Sequence, residues 1–526
     1  MIIDGTDTVT FDLATFSLDT ITFLGAGTIA VGANALSATS VSGASGILTA
    51  STGSIAVTGS ISAATMTFTG AGTATVGGDF TLGAFTPGSS TVICNGGGAQ
   101  AMSALTFNNL TVNKGGGALT TAGGAVTVGG ALQLTAGTLD LAANGTNLSV
   151  TGTTTIDGTL TAGAGTLTFT GSVSGVGALT ASSGTSNFAG DLTVTTFAAN
   201  GGTAVFNGGG AQAANAYTFA SLTVNKGGGT LTSSGAWTVT TALTLGAGTW
   251  APGNFTHQVA GNWDDSGVSF TPASGTIQLT GATPTITQKA GNNFFNLSLA
   301  NGGSLAANTT VGGALTVSAG DLGTTTHTLS VTGSTTVTGS ITAGSGTLTF
   351  TGSVSGAGTL TASSGTSNFA GDLSVATFAA NGGTAVFNGG GAQATGVYAF
   401  NNLTVNKGGG TLTTAGGTVP VGGALQVTAG ALNLAANNTI LTVTGATTVT
   451  GSLSGGSGTL TFTGTVSGAG TLTASSGTSD FAGDLSVTTF VANGGTAVFS
   501  GGGAQVTGAY TFNNLTVNKG AGSLTP

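Results

Sequence analysis

Apolar and polar residues take turns along almost the whole chain. VTFDLATF, SLDTITFLG, GTIAVG and GSIAVTG near the start, then ALQLTAG, TLDLAAN, NLSVTG, TTTIDG and TLTFTG further on, place Val, Leu, Ile or Phe at every second position. A period of two marks a strand with one buried face. One to four turn residues, mostly Gly-bearing, separate these blocks. Each block is too short for a stable helix and rich in β-branched residues. No segment has a 3.6-residue period with caps, so the chain reads as all-β.

The blocks belong to larger repeats. The stretch from Thr166 to Gly229 returns nearly unchanged from Thr347 and again from Thr459. Phe169, Phe188, Phe197, Phe206 and Phe219 reappear as Phe350, Phe369, Phe378, Phe387 and Phe400, then as Phe462, Phe481, Phe490, Phe499 and Phe512. From each copy to the next, all five shift by the same offset. A closing signature, LTVNK, starts at Leu110, Leu222, Leu403 and Leu515, with a degraded FNLSLANGG around Leu297. The spacings between these closures are unequal, so units differ by whole strands. Self-similarity on this scale predicts a repeat architecture. The pattern divides the chain into a divergent lead-in over 1–64, repeat units over 65–232, an irregular stretch over 233–300 and further repeat units over 301–526.

Two architectures fit such short strands. A β-solenoid winds through short strands and tight corners and stacks like on like. Tandem immunoglobulin-like β-sandwiches would also repeat at about 100 residues. Very short turns, the confinement of Trp237, Trp250 and Trp263 to one region, and 99 glycines suited to corners needing positive φ all favour the solenoid. At the strand spacing this predicts a rod of roughly 100 Å with about 22 coils.

Composition sharpens the picture. Charged residues are 4% of the chain, with five Lys, fourteen Asp, no Arg and no Glu, for a net charge of −9. Stacked coils explain this, because like charges directly opposite repel while Thr and Ser ladders tolerate close neighbours. The sign disfavours nucleic acid and anionic membrane surfaces. Disorder is excluded by 39% hydrophobic residues at strand spacing, and collagen by six prolines without a Gly period. No apolar run approaches the roughly 18 residues of a membrane span. MIIDGTDTVTFDL lacks the regions of a signal peptide, and the last unit stops at NKGAGSLTP where earlier copies continue. The first implies either export by another signal or a mature or partial chain; the second favours a partial or open chain.

Candidate chemistry is sparse. His257 and His327 stand alone and read as solvent-facing or edge residues. Cys94 has no partner for a disulfide and replaces the phenylalanine of later copies (Phe206, Phe387, Phe499), which predicts a core position. Asp79, Asp191, Asp372 and Asp484 sit in GGDF and AGDL turns, and Asp264 and Asp265 are adjacent. Turn capping is the first reading and calcium the second, since the dense GGxGxD pattern of calcium β-rolls is absent. Glycine triplets such as Gly208-Gly209-Gly210 lack the Lys-Ser/Thr and helix of a phosphate loop and read as corners. Lys114, Lys226, Lys407 and Lys519 share one repeat position; they read as keeping that corner soluble, or as pairing with turn aspartates of a neighbouring subunit. Threonine ladders of an ice-binding kind are disfavoured by wandering registers. The sequence therefore predicts no catalytic, cofactor-binding or metal-binding residues and no enzyme.

The order GNW…FTP…GT over Gly261 to Thr276, its echo GDFTLGAFTPGSSTVICNGGGAQ over Gly78 to Gln100, and the run from FNGGGAQ to FNNLTVNKGGGTL resemble bacterial cell-surface repeat proteins. They are similar to autotransporter-passenger and filamentous-haemagglutinin-like β-helices. The resemblance implies a large secreted β-helix used in adhesion, biofilm or surface coats. The expectation is an extracellular structural protein that assembles with itself, head to tail, into a fibre or sheath. The alternative is an adhesin stalk that binds glycans or a host cell surface through the irregular 233–300 region, its patch near Trp237 to Pro284 offering exposed aromatics for sugar stacking.

Overall fold

The structure is a computed structural model and describes all 526 residues, Met1–Pro526. It is all-β, a solenoid of about 28 turns built from parallel stacked strands, with a single three-residue 3-10 turn at Ala435–Asn437. The chain divides into two compact units, Met1–Gln258 with Gly267–Thr271, and Val259–Ser266 with Pro272–Pro526.

In the first unit one coil can be followed through three short strands, Asn147–Val150, Thr154–Ile156 and Thr159–Thr161. The next coil repeats them at Leu167–Phe169, Val173–Ser174 and Ala178–Thr180. Every strand pairs in parallel with its counterpart one turn on: Leu148 with Leu167, Thr154 with Val173, Leu160 with Leu179. The stretch from Leu148 to Leu167 is thus one full turn of the coil. The expectation of about 22 coils is corrected to about 28, because three strands of only three or four residues close a full turn.

Alternation decides what each strand buries. Val150, Phe169, Phe188, Phe206 and Val224 form one inward column, each register-paired with the next. Rings at Phe169 and Phe188 stack 5.7 Å apart at 12°. The second unit repeats the device with Val331, Phe350, Phe369, Phe387 and Val405. Outward columns hold mostly small or polar residues, as in Thr168, Asn187, Val205 and Thr223. Strand aspartates lie beside neutral partners: Asp140 beside Thr161, Asp321 beside Ser340, Asp480 beside Thr461. Such placement avoids stacked like charge.

Glycine's part differs from the expected one. Only 25 of the 99 glycines have positive φ. More often the next coil leaves no room for a Cβ. Gly356 needs glycine on both counts, with φ +131° and a would-be Cβ 2.1 Å from the Val337 carbonyl oxygen. Gly390 has open space around it and an ordinary φ.

Two kinds of substitution separate these effects. Phe369→Ala should lower unfolding free energy by about 3–5 kcal/mol, the usual cost of emptying an aromatic core site. Gly356→Ala should cost more than about 1 kcal/mol, because φ is incompatible, while Gly390→Ala stays near neutral. Urea unfolding followed by circular dichroism reads all three.

Candidate functional site

The four repeat lysines are the most organised polar feature. Alternation along Leu222-Thr223-Val224-Asn225-Lys226 turns Leu, Val and Lys inward and Thr and Asn outward. Lys114, Lys226 and Lys407 are accordingly buried, at 2%, 2% and 0% exposure; Lys519 is half-buried. The solubilising reading is therefore wrong for these three, and so is pairing with a neighbouring subunit, since each Nζ is satisfied within its own chain.

Each lysine closes a clip across successive turns. Lys226 Nζ donates to the Gly208 carbonyl (3.0 Å) and to Gln212 Oε1 (2.6 Å). Gln212 Nε2 donates one turn further back, to Phe188 O (2.9 Å) and Gly190 O (2.6 Å). Asp191, in the turn beside Gly190, accepts the Ala213 N–H at 2.8 Å. The same set recurs as Lys114 on Gly96 O and Gln100, with Asp79 on Ala101 N–H. It recurs again as Lys407 on Gly389 O and Gln393, with Asp372 on Ala394 N–H. Lys519, Gln505 and Asp484 complete a fourth copy. In the degraded unit, Asn301 takes the lysine's place and donates to Thr280 O and Gly281 O.

Burial pushes the Lys114, Lys226 and Lys407 ammonium groups below their ordinary pKa. The charges of Asp79, Asp191 and Asp372, respectively, act in the opposite sense. The direct acceptors are neutral oxygens in every copy. Sequence reading missed these glutamines entirely. The available signal was the constant offset of 14 residues from the GGGAQ glutamine to the LTVNK lysine.

Other candidates resolve as follows. Cys94 is fully buried as expected, between Val76 and Val112 of the inward column, and burial lifts its thiol to about 12. His257 is not solvent-facing; it is 1% exposed. Its Nδ1 accepts the Trp237 N–H at 3.2 Å, which leaves the proton on Nε2 for the Pro252 carbonyl at 2.9 Å. Burial holds its pKa below the usual value. His327 is half-buried. Asp264 caps Ser266 N–H, the turn role expected. Asp265 is instead buried, accepts the Lys289 N–H, and is pushed up by burial. No group of three or more His, Cys, Asp or Glu side chains comes together.

The aromatic patch is corrected for its three tryptophans, although Phe255 within it is 37% exposed. Trp237, Trp250 and Trp263 are at most 1% exposed. Trp237 stacks on Phe206 (6.1 Å, 3°) and on Trp250 (5.5 Å, 6°), so these two indoles continue the phenylalanine column of the first unit. Buried in this way, the three indoles offer no stacking face to a sugar. A surface depression of about 300 Å³ lies beside the first clip, lined by Thr58, Thr75, Gly77, Asn95 and Gly97 among others, none of them titratable. No helix is long and apolar enough to cross a membrane.

Comparisons with family models, curated proteins and solved structures give no match. The architecture is consistent with a β-helix repeat protein.

Two outcomes test this geometry. Lys407→Met should cost about 1–3 kcal/mol, because Gln393 Oε1 and Gly389 O lose a buried donor, whereas Lys289→Met, at an exposed position, should change stability by less than about 0.5 kcal/mol. His257 supplies a pH signature. Its folded-state pKa lies below the ordinary 6.5, so on acidification the unfolded chain takes the proton first. Its stabilising share is present above about pH 6.5 and falls away as pH drops toward the folded value, by up to about 1.4 kcal/mol per pH unit. His257→Gln should remove that component from the stability–pH curve.

Proposed function

We propose that this chain is a non-enzymatic, extracellular structural protein, a β-solenoid subunit of a cell-surface fibre or sheath that assembles head to tail. One observation carries the reading: each coil buries its apolar columns only when a like coil lies against it. Leu403 and Val405, with coils on both sides, are 1% and 0% exposed; Leu515 and Val517, at the same repeat position with a coil on one side only in this 526-residue chain, are 48% and 54% exposed. A like coil covers such columns whichever chain supplies it, by pairing the free backbone groups of a strand edge. A second copy carries the matching columns along its whole length.

The side-chain inventory supports a non-catalytic role. The buried lysines, Cys94 and His257 have their polar and packing needs met inside the coil, and the depression beside the first clip is lined by hydroxyls, amides and backbone. An extracellular place is supported by the resemblance of the GNW…FTP…GT and GGGAQ…LTVNK runs to secreted surface proteins. An adhesin stalk keeps the same scaffold but loses the three indoles that suggested a glycan patch.

Negative-stain electron microscopy of the purified 526-residue chain should show filaments whose length grows with concentration. Replacing Leu515 and Val517 together with Lys should cap growth while leaving the far-ultraviolet circular dichroism unchanged. Dispersed monomers at every concentration would sink the reading.

A further inference from the structure

The buried clip places an amine against a side-chain amide, and this pair has chemistry of its own. Lys226 Nζ sits 2.6 Å from Gln212 Oε1. A carbonyl bond adds at most about 1.2 Å, so Cδ lies within about 3.8 Å of the nitrogen, and reaching the roughly 3–3.5 Å of a reactive approach requires Nζ to swing from the oxygen onto the face of the amide. The amide is fixed from both sides. Nε2 is held by the Phe188 and Gly190 carbonyls, and Oε1 also accepts the Gly208 N–H at 3.1 Å. The Lys519 clip has the matching Gly501 N–H on Gln505 Oε1 at 3.2 Å.

We propose that these clips close covalently: the lysine nitrogen displaces ammonia from the glutamine side chain, leaving an ε-(γ-glutamyl)lysine isopeptide bond between successive coils. The proposal goes beyond the structural role above and does not depend on self-assembly.

The step balances without an outside reagent. The ammonium first gives up one proton to solvent, a loss eased by burial, which destabilises the charged form. Neutral Nζ then attacks Cδ, and the carbonyl electron pair moves onto Oε1. The Gly208 N–H already points at that oxygen, so the developing negative charge meets a preset donor. One Nζ proton passes to Nε2, the Cδ–Nε2 bond breaks, the carbonyl reforms and ammonia leaves. Desolvated lysine amines attack carbonyl carbon in Schiff-base chemistry; the amide here is a poorer electrophile, and the Gly208 N–H on Oε1 polarises it. Lys114 with Gln100 (2.9 Å) and Lys407 with Gln393 (2.7 Å) present the same pair, equally buried.

Intact-mass measurement of the purified full chain, after incubation at mildly alkaline pH, tests this directly. The expected mass is lower than the sequence mass by one ammonia for each closed clip, with three expected from the three buried lysines. Digestion with a lysine-specific protease should then fail at Lys114, Lys226 and Lys407 while still cutting at Lys289, and fragmentation should return branched peptides joining each Lys to its Gln. Lys226→Arg, which keeps a cation and its donors but cannot form the bond under these conditions, should regain one ammonia of mass and leave the other two branches intact. A mass equal to the sequence mass overturns the proposal. So does a deficit in a protein still cleaved at all three lysines, which would place the ammonia loss elsewhere, at Asn-Gly steps for example.

Discussion

Stacking of like on like, one strand spacing apart, governs this molecule. A residue's main neighbours are the residues one turn before and one turn after it, in the same register on the same kind of strand. A side chain must therefore pack against near copies of itself at about 4.8 Å. Phenylalanine does so by stacking its rings, leucine and valine by continuous apolar columns. Threonine and serine can stand in outward columns because a hydroxyl both donates and accepts. A carboxylate cannot follow a carboxylate, and those that occur are shared with hydroxyls, as where Ser340 and Thr342 both donate to Asp321 Oδ1. The low charge of the whole chain is this packing rule written into composition.

Much of this was legible from the alternation, and what escaped was in part written there too. The repeated phenylalanines identified the inward column, and Cys94 is placed in it correctly because it stands where later copies carry phenylalanine. The phase of the alternation, applied to LTVNK, sends the lysine inward with Leu and Val; to AWTV, it sends Trp237 inward with Val239. Both were read instead by chemical type, a lysine as soluble and a tryptophan in an irregular stretch as exposed. In a structure with period two, phase outranks polarity provided a partner waits inside. The turn size was equally available, since Phe169, Phe188 and Phe206 recur at nearly equal intervals and lie on consecutive coils. Partner identity was not available, because Gly208 O and Phe188 O are backbone groups that any sequence supplies. His257 escaped for the same reason: its two partners are the Trp237 amide and the Pro252 carbonyl.

Glycine is often taken as a sign of bent or mobile backbone. Here most glycines mark places where two coils come too close for a Cβ. At Gly177, Gly358 and Gly470, one repeat position, an added carbon would lie 2.0–2.1 Å from the carbonyl oxygen of Gly158, Gly339 and Gly451 on the preceding coil. Gly158, Gly339 and Gly451 are constrained in turn, each with a would-be Cβ 2.4 Å from the carbonyl oxygen of Gly137, Gly320 or Gly430 one coil further back, so the requirement recurs from coil to coil and lifts the content of the whole chain.

A near-identical stack carries a hazard that its apolar columns cannot remove. If one coil slipped by a full turn, Phe would still meet Phe and Leu would still meet Leu. The clips break that degeneracy. Lys226 finds acceptors only where the Gly208 carbonyl and Gln212 lie directly behind it, and Gln212 only where Phe188 and Gly190 do. In a slipped register the buried lysine would lose the Gln212 acceptor and keep at most a backbone carbonyl, which leaves a buried cation under-satisfied. Coils lacking the GGGAQ and LTVNK elements separate one clip from the next, so each clip fixes the register of the plain coils around it. Buried polar groups that add little net stability can still select one arrangement among many of similar packing energy. That selection explains why a chain with five lysines places four of them at one repeat position and keeps three of those out of water.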